Sequence, residues 1–134
     1  MKSMKGIKKK NIEFSDLSNK VIGCAIEVHK ALGPGLLEST YQQCLCHELR
    51  LNHIDFEIEK PLPVVYKECR LDCGYRIDIL VEDEIIVELK SVEQLKPIHE
   101  AQILSYMKLS NMKYGFLINF NVTLLKKGLK SFIL

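Results

Sequence analysis

The chain has 134 residues, 47% hydrophobic and 27% charged, with a net charge of +2 at pH 7, which fits one soluble globular domain with a real core. No apolar run approaches the ~20 residues that cross a bilayer, and the basic start MKSMKGIKKKN lacks the apolar segment of an export signal, so no membrane partner and a cytoplasmic location are expected. The mild positive charge neither demands nor excludes nucleic acid.

Residues 1–14 read as a basic, flexible N-terminal tail. Its lysines at 2, 5, 8, 9 and 10 are either solvated or available to phosphates. Residues 15–134 read as a single domain. From Asp16 to about Leu32, the residues Leu17, Val21, Ile22, Ala25, Ile26, Val28 and Leu32 recur at helical spacing. Ser15 or Asp16 is the candidate cap. LGPG at 32–35 ends this helix and turns the chain; it lacks the spacing and lysine of a phosphate-cradling loop. A second helix is expected from Leu37 to Asn52, with Leu37, Tyr41, Leu45 and Leu49 facing inward and Cys44 a further candidate.

After His53 the pattern turns to strands at 56–59, 62–66, 75–81 and 85–89. Pro61 and Pro63 mark the first as an edge strand or a bent one. Hairpin turns are expected around Lys67, in YKEC, and at EDE, 82–84. A third helix follows Pro97, which suits an early helical position, and carries Ile98, Ala101, Ile103, Leu104, Met107 and Leu109. YGFLINF at 114–120 reads as a buried strand and SFIL as a short final one. Two helices, a meander of three or four strands, a helix and a strand make a mixed α/β (α+β) domain, its sheet covered by helices.

Five cysteines, an odd number without an export signal, argue against a disulfide framework. Cys44 and Cys46, and Cys69 and Cys73, lack the paired C-x2-C spacing of structural zinc sites. Cys24, Cys44 and Cys46 fall in helical patterns, where free cysteine acts as a small hydrophobe.

The chemistry concentrates in RIDILVEDEIIVELK, 76–90. Alternation along the strands puts Arg76, Asp78 and Leu80 on one face, and Ile86, Glu88 and Lys90 on one face of the next. A three-residue loop at 82–84 opposes Asp78 to Glu88 directly; a two-residue loop needs a bulge to do so. Facing carboxylates repel, so a shared proton, a cationic side chain or a metal ion must compensate. Oxygen donors of this kind suit Mg²⁺ or Mn²⁺. The bland alternative is a solvated sheet face with a Glu–Lys pair.

D-x9-E-x-K across a strand–turn–strand resembles the signature of the PD-(D/E)XK nuclease superfamily. GLLESTY, 35–41, matches the G-x-x-E-x-x-Y of the small GxxExxY proteins assigned to it, and HEAQILSYMK and GFLINF are similar to their following helix and strand. The likeness runs from about 16 to 121; the superfamily's Pro-Asp is replaced by Ile77 and Asp78. It implies a restriction-endonuclease-like αβββαβ core, a mixed sheet flanked by helices. It further implies Asp78 and Glu88 as ligands of Mg²⁺ or Mn²⁺, and Lys90 as the residue assisting the attacking water. Glu38 is implied as a further metal-binding acid, against a simple helix-dipole role. Gln102 and Tyr106, one helical turn apart, resemble a substrate-positioning pair, though Tyr106 also fits the core. Arg76 is open to a phosphate contact or an acid partner, Tyr41 reads as packing beside Glu38, and His99 as a surface residue. The implied activity is Mg-dependent phosphodiester hydrolysis of nucleic acid, DNA favoured over RNA. The alternative is a catalytically silent module on the same fold that binds nucleic acid or a protein. The apolar FIL end offers a surface for a homo-oligomer.

Overall fold

The apolar period of the first segment becomes helix α1, Phe14–Leu32, in a computed structural model that describes residues 14–134. Leu17, Val21, Cys24, Ala25 and Val28 are all buried, the one-sided stripe of a helix resting on a core. The helix starts ahead of the expected cap: Ser15 and Asp16 lie inside it, where the Asp16 charge suits the positive end of the dipole. The lysine cluster of the tail lies outside the described residues. Gly33 and Gly35 take φ of 68° and 104°, a region that favours glycine, and the chain reverses into α2, Glu38–Leu51. Tyr41, Leu45 and Leu49 are buried as expected, but Leu37 is not inward. It caps α2 and is 73% exposed. Cys46 is buried, while Cys44 is only half-buried.

Strands β1 (Phe56–Pro61), β2 (Val64–Tyr66), β3 (Cys69–Leu71), β4 (Arg76–Val81) and β5 (Ile85–Lys90) follow. The expected strand at 62–66 does not join the main sheet. It becomes β2 and pairs only with β3, a strand absorbed into a turn in the sequence reading. Pro61 and Pro63 flank Leu62, and prolines cannot donate to a ladder, so the chain leaves the sheet there. After β5 come α3 (Pro97–Ser110), β6 (Tyr114–Asn119), a single 3-10 turn (Leu125–Gly128) and β7 (Leu129–Ile133).

The main sheet has the order β1-β4-β5-β6-β7. β1 is an edge, as its prolines predict. β5 and β6 are parallel and the other pairs antiparallel, so α3 is the crossover that a parallel pair requires. Ile79, Val81, Val87, Leu89 and Ile118 share a core with α1 and α2, whereas Leu80, Ile86 and Leu117 pack with α3. On α3 the buried residues are Ile103, Tyr106 and Met107; Ile98, Ala101 and Leu109 are exposed, contrary to their apolar character. The run α2-β1-β4-β5-α3-β6 is the αβββαβ core of the restriction-endonuclease-like fold. No helix among the described residues is long and apolar enough to cross a membrane.

Candidate active site

The β4–β5 turn has three residues, 82–84. Glu82 and Asp83 take positive φ, 50° and 56°, and the Glu84 N–H donates to the Val81 carbonyl at 2.9 Å. The ladder runs Val81↔Ile85, Leu80↔Ile86, Ile79↔Val87, and the next opposed residues are Asp78 and Glu88. The pairing stops there, because Asp78 Oδ2 accepts the Leu89 N–H at 2.9 Å. On its other side β1 skips the same position: Ile58 pairs with Ile79 and Lys60 with Ile77, while Glu59 between them has φ of 50°. Gln42 of α2 donates through Nε2 to the Asp78 carbonyl at 3.1 Å and to Glu59 Oε2 at 2.8 Å. Asp78 therefore sits in a break of the sheet, its backbone served by a side chain. The break also shifts the alternation of β4, since Ile77 and Leu80 both join the α3-side core.

Glu88 is 5% exposed, and its Oε1 has no hydrogen-bond partner. Burial, then the neighbouring Asp78 charge, pushes its carboxyl up to about 8; Lys90 and the Asp78 backbone N–H oppose this, and Glu38 adds to it. Asp78 is pushed up to about 6, first by burial, against the Leu89 N–H, with Glu59 and Glu38 raising it and Lys90 lowering it. Lys90, half-buried at the end of β5, is thus the cation both acids feel. Glu38, Glu59 and Asp78 line one pocket of ≈ 240 Å³ with Ser39, Gln42 and Leu89. The sequence reading missed Glu59 and Gln42, whose approach to Asp78 depends on the β1–β4 register.

Glu38 arrives at the site because it is the first residue of α2, and Tyr41 fixes that start. The buried Tyr41 hydroxyl donates to the Gly33 carbonyl at 2.6 Å and accepts the Leu36 N–H at 3.1 Å. Its ring stacks on Phe120 at 4.5 Å. Ser91, next to Lys90, donates to the Leu36 carbonyl at 2.6 Å and ties the same turn to the end of β5. In G-x-x-E-x-x-Y the glycine makes the turn, the tyrosine locks it, and the glutamate faces Asp78.

On the α3 side, Gln102 Nε2 donates to Tyr106 Oη at 3.1 Å. Tyr106 is 7% exposed, so it belongs to the core. Burial raises its hydroxyl, Gln102 lowers it, and the charges of Glu88 and Asp78 raise it further. Arg76 Nη1 lies 3.6 Å from Asp72 Oδ1 and donates to the Tyr75 carbonyl at 2.8 Å. His99 Nδ1 accepts the Lys96 N–H at 2.9 Å, which makes it part of the helix start.

Among the described residues no group of three or more His, Cys, Asp or Glu side chains forms a ready metal cage. Asp78 and Glu88 nevertheless fit a hard divalent cation. Glu88 is buried and Asp78 half-buried beside it, one Glu88 oxygen is orphaned, and burial and the charges around them hold back their ionised forms. Mg²⁺ commonly needs only one or two carboxylates, with water and substrate phosphate completing its shell. A family model described as PD-(D/E)XK nuclease superfamily matches residues 15–132. No curated protein and no solved structure matches the chain.

Proposed function

The chain belongs to the PD-(D/E)XK nuclease superfamily, and from that membership we propose a cytoplasmic, divalent-metal-dependent nuclease of the GxxExxY type. It hydrolyses phosphodiester bonds in nucleic acid, DNA in preference to RNA, with Mg²⁺ or Mn²⁺. Asp78 and Glu88 hold the ion, and Glu38 adds a third carboxylate from α2. The bound ion supplies Lewis-acid charge that polarises a phosphate oxygen and acidifies water. Lys90 orients the attacking water and stabilises the negative charge that grows as one O–P bond forms and the ester O–P bond breaks. Gln102, held by Tyr106, positions the substrate from α3.

The observation that carries this reading is the buried Glu88 Oε1 without a partner, beside a second carboxylate. Leaving such a group unsatisfied costs on the order of 1–3 kcal/mol, and groups perturbed by burial plus a specific charge cluster at functional sites. The rival reading, a silent binding module, draws on the absence of a three-residue metal cage among the described residues. Cleavage of labelled single- and double-stranded DNA and RNA with Mg²⁺ or Mn²⁺ separates the two. Asp78→Ala, Glu88→Ala and Lys90→Ala, each folded, should lose roughly a hundredfold or more of the activity. Wild-type protein that cuts nothing and shows no calorimetric metal binding would leave the silent module.

A further inference from the structure

A groove of ≈ 440 Å³ opens between α3 and the β2–β3 hairpin, lined chiefly by Val64, Tyr75, Ile98, Gln102, Tyr106 and Leu109. Its size falls in the range of small-ligand sites. Tyr75 is 44% exposed, Ile98 69% and Leu109 42%, so the groove presents apolar and aromatic surface to solvent. Tyr75 meets Tyr106 edge-on, ring centroids 5.9 Å apart. Only one amide N–H of Gln102 is engaged by Tyr106; its other N–H and its carbonyl can meet a polar edge. Gln102 and Tyr106, the pair proposed above to position the substrate, form part of the groove's wall.

We propose that this groove seats an unstacked nucleobase of the strand being cut, so that single-stranded or frayed nucleic acid is preferred over continuous duplex. The identity of the ligand rests on the nuclease reading; the groove itself does not. A base has an apolar π-face and a hydrogen-bonding edge, and these match an aromatic wall beside a free amide. It is also the group that flanks each phosphate of the substrate that Gln102 is proposed to position. Sequence-tolerant stacking on aromatic side chains is how single strands are gripped, whereas a duplex must first spend unstacking energy to present a base. Outside the groove, Val65 and Tyr66 of the hairpin are also exposed, and Lys67 Nζ lies 5.4 Å from the Tyr66 ring centroid.

The test measures binding by fluorescence anisotropy with Mg²⁺ in a Lys90→Ala background, which slows cutting and keeps both carboxylates. A short single strand is compared with a blunt duplex of the same sequence. The single strand should bind about tenfold more tightly, and Tyr75→Ala should erase roughly that factor while Tyr75→Phe keeps it. Ile98→Asp, at a position too exposed to matter for folding, should weaken binding comparably. Equal affinity for both forms, or single-strand binding untouched by Tyr75→Ala and Ile98→Asp, overturns the proposal. Cleavage in the Lys90 form is scored separately. Base-dependent binding without any cutting refutes the nuclease reading alone; equal cutting of duplex and single strand, unaffected by Tyr75→Ala, refutes the groove alone.

Discussion

Glu88 is where burial, repulsion and chemistry meet. Its carboxyl is held up at about 8 against an ordinary 4.5, and that of Asp78 at about 6 against 3.8, burial being the largest cause in both. The folded chain therefore binds more protons than the unfolded chain between these limits. What these two groups contribute to stability is fully present below their ordinary values and is lost as pH rises through the folded ones, levelling off above about 8. Glu88→Gln removes the ionisation and leaves Asp78 with Glu59, Glu38 and Lys90 as its charged neighbours. Metal-free, the variant should melt close to wild type at pH 4 and above it at pH 8.5, by on the order of 1–3 kcal/mol. Melting curves at the two pH values check this; a variant less stable than wild type at pH 8.5 would mean that ionised Glu88 is not penalised. At this scale much was legible. The three-residue loop was enough to set the register that leads toward Asp78 and Glu88, although the ladder ends at Ile79↔Val87 and the period-two alternation of β4 breaks at Asp78. Glu59 was not legible, because its approach to Asp78 depends on the β1–β4 register, and the chain between those strands folds into a hairpin of its own.

Among the elements, the α1–α2 corner decides whether Glu38 reaches the site. Tyr41→Phe keeps the ring on Phe120 but strips the Gly33 carbonyl and the Leu36 N–H of their partner. A loss of about 1–2 kcal/mol is expected, a fall of several degrees in melting temperature for a domain of this size. Because the freed turn carries the start of α2, metal affinity and cleavage should fall with it, as they should in Glu38→Gln at unchanged stability. Calorimetry beside melting separates the two variants; metal affinity intact in both would remove Glu38 from the site. The corner was readable from its glycines, and α1 from its apolar period, although Ile26 and Leu32 of that set are exposed. The inward face of α3 was not: Ile98, Ala101 and Leu109 are apolar yet exposed, while Tyr106 is buried. When apolar residues surround a helix, its sequence does not choose a face, and the sheet beneath does. The exposed Ile98 and Leu109 are also the wall of the base groove, so the failed periodicity coincides with a proposed functional surface, where local rules are expected to give way.

The molecule as a whole places its acids where three independent pieces of chain converge: the start of α2, the break in β4 and the end of β5. The parallel β5–β6 pairing, with α3 as crossover, buries the sheet on both faces. The carboxylates are thereby held by two cores instead of a loop, and the cost of that rigidity is repulsion the fold cannot relax. A divalent ion that binds only the folded chain should therefore stabilise all of it, by about 2.7 kcal/mol at about a hundredfold excess over Kd. Binding must displace the protons that burial keeps on Asp78 and Glu88. The shift in melting temperature at fixed Mg²⁺ or Mn²⁺ should therefore grow from pH 6 to pH 8 and flatten above about 8. Glu88→Gln and Asp78→Asn should each abolish most of the shift without unfolding the protein. A shift of equal size at every pH, or one that survives both substitutions, would place the ion elsewhere on the surface. A pH-dependent shift lost in both variants ties the metal, the proton and the break in the sheet to one site before any substrate is known.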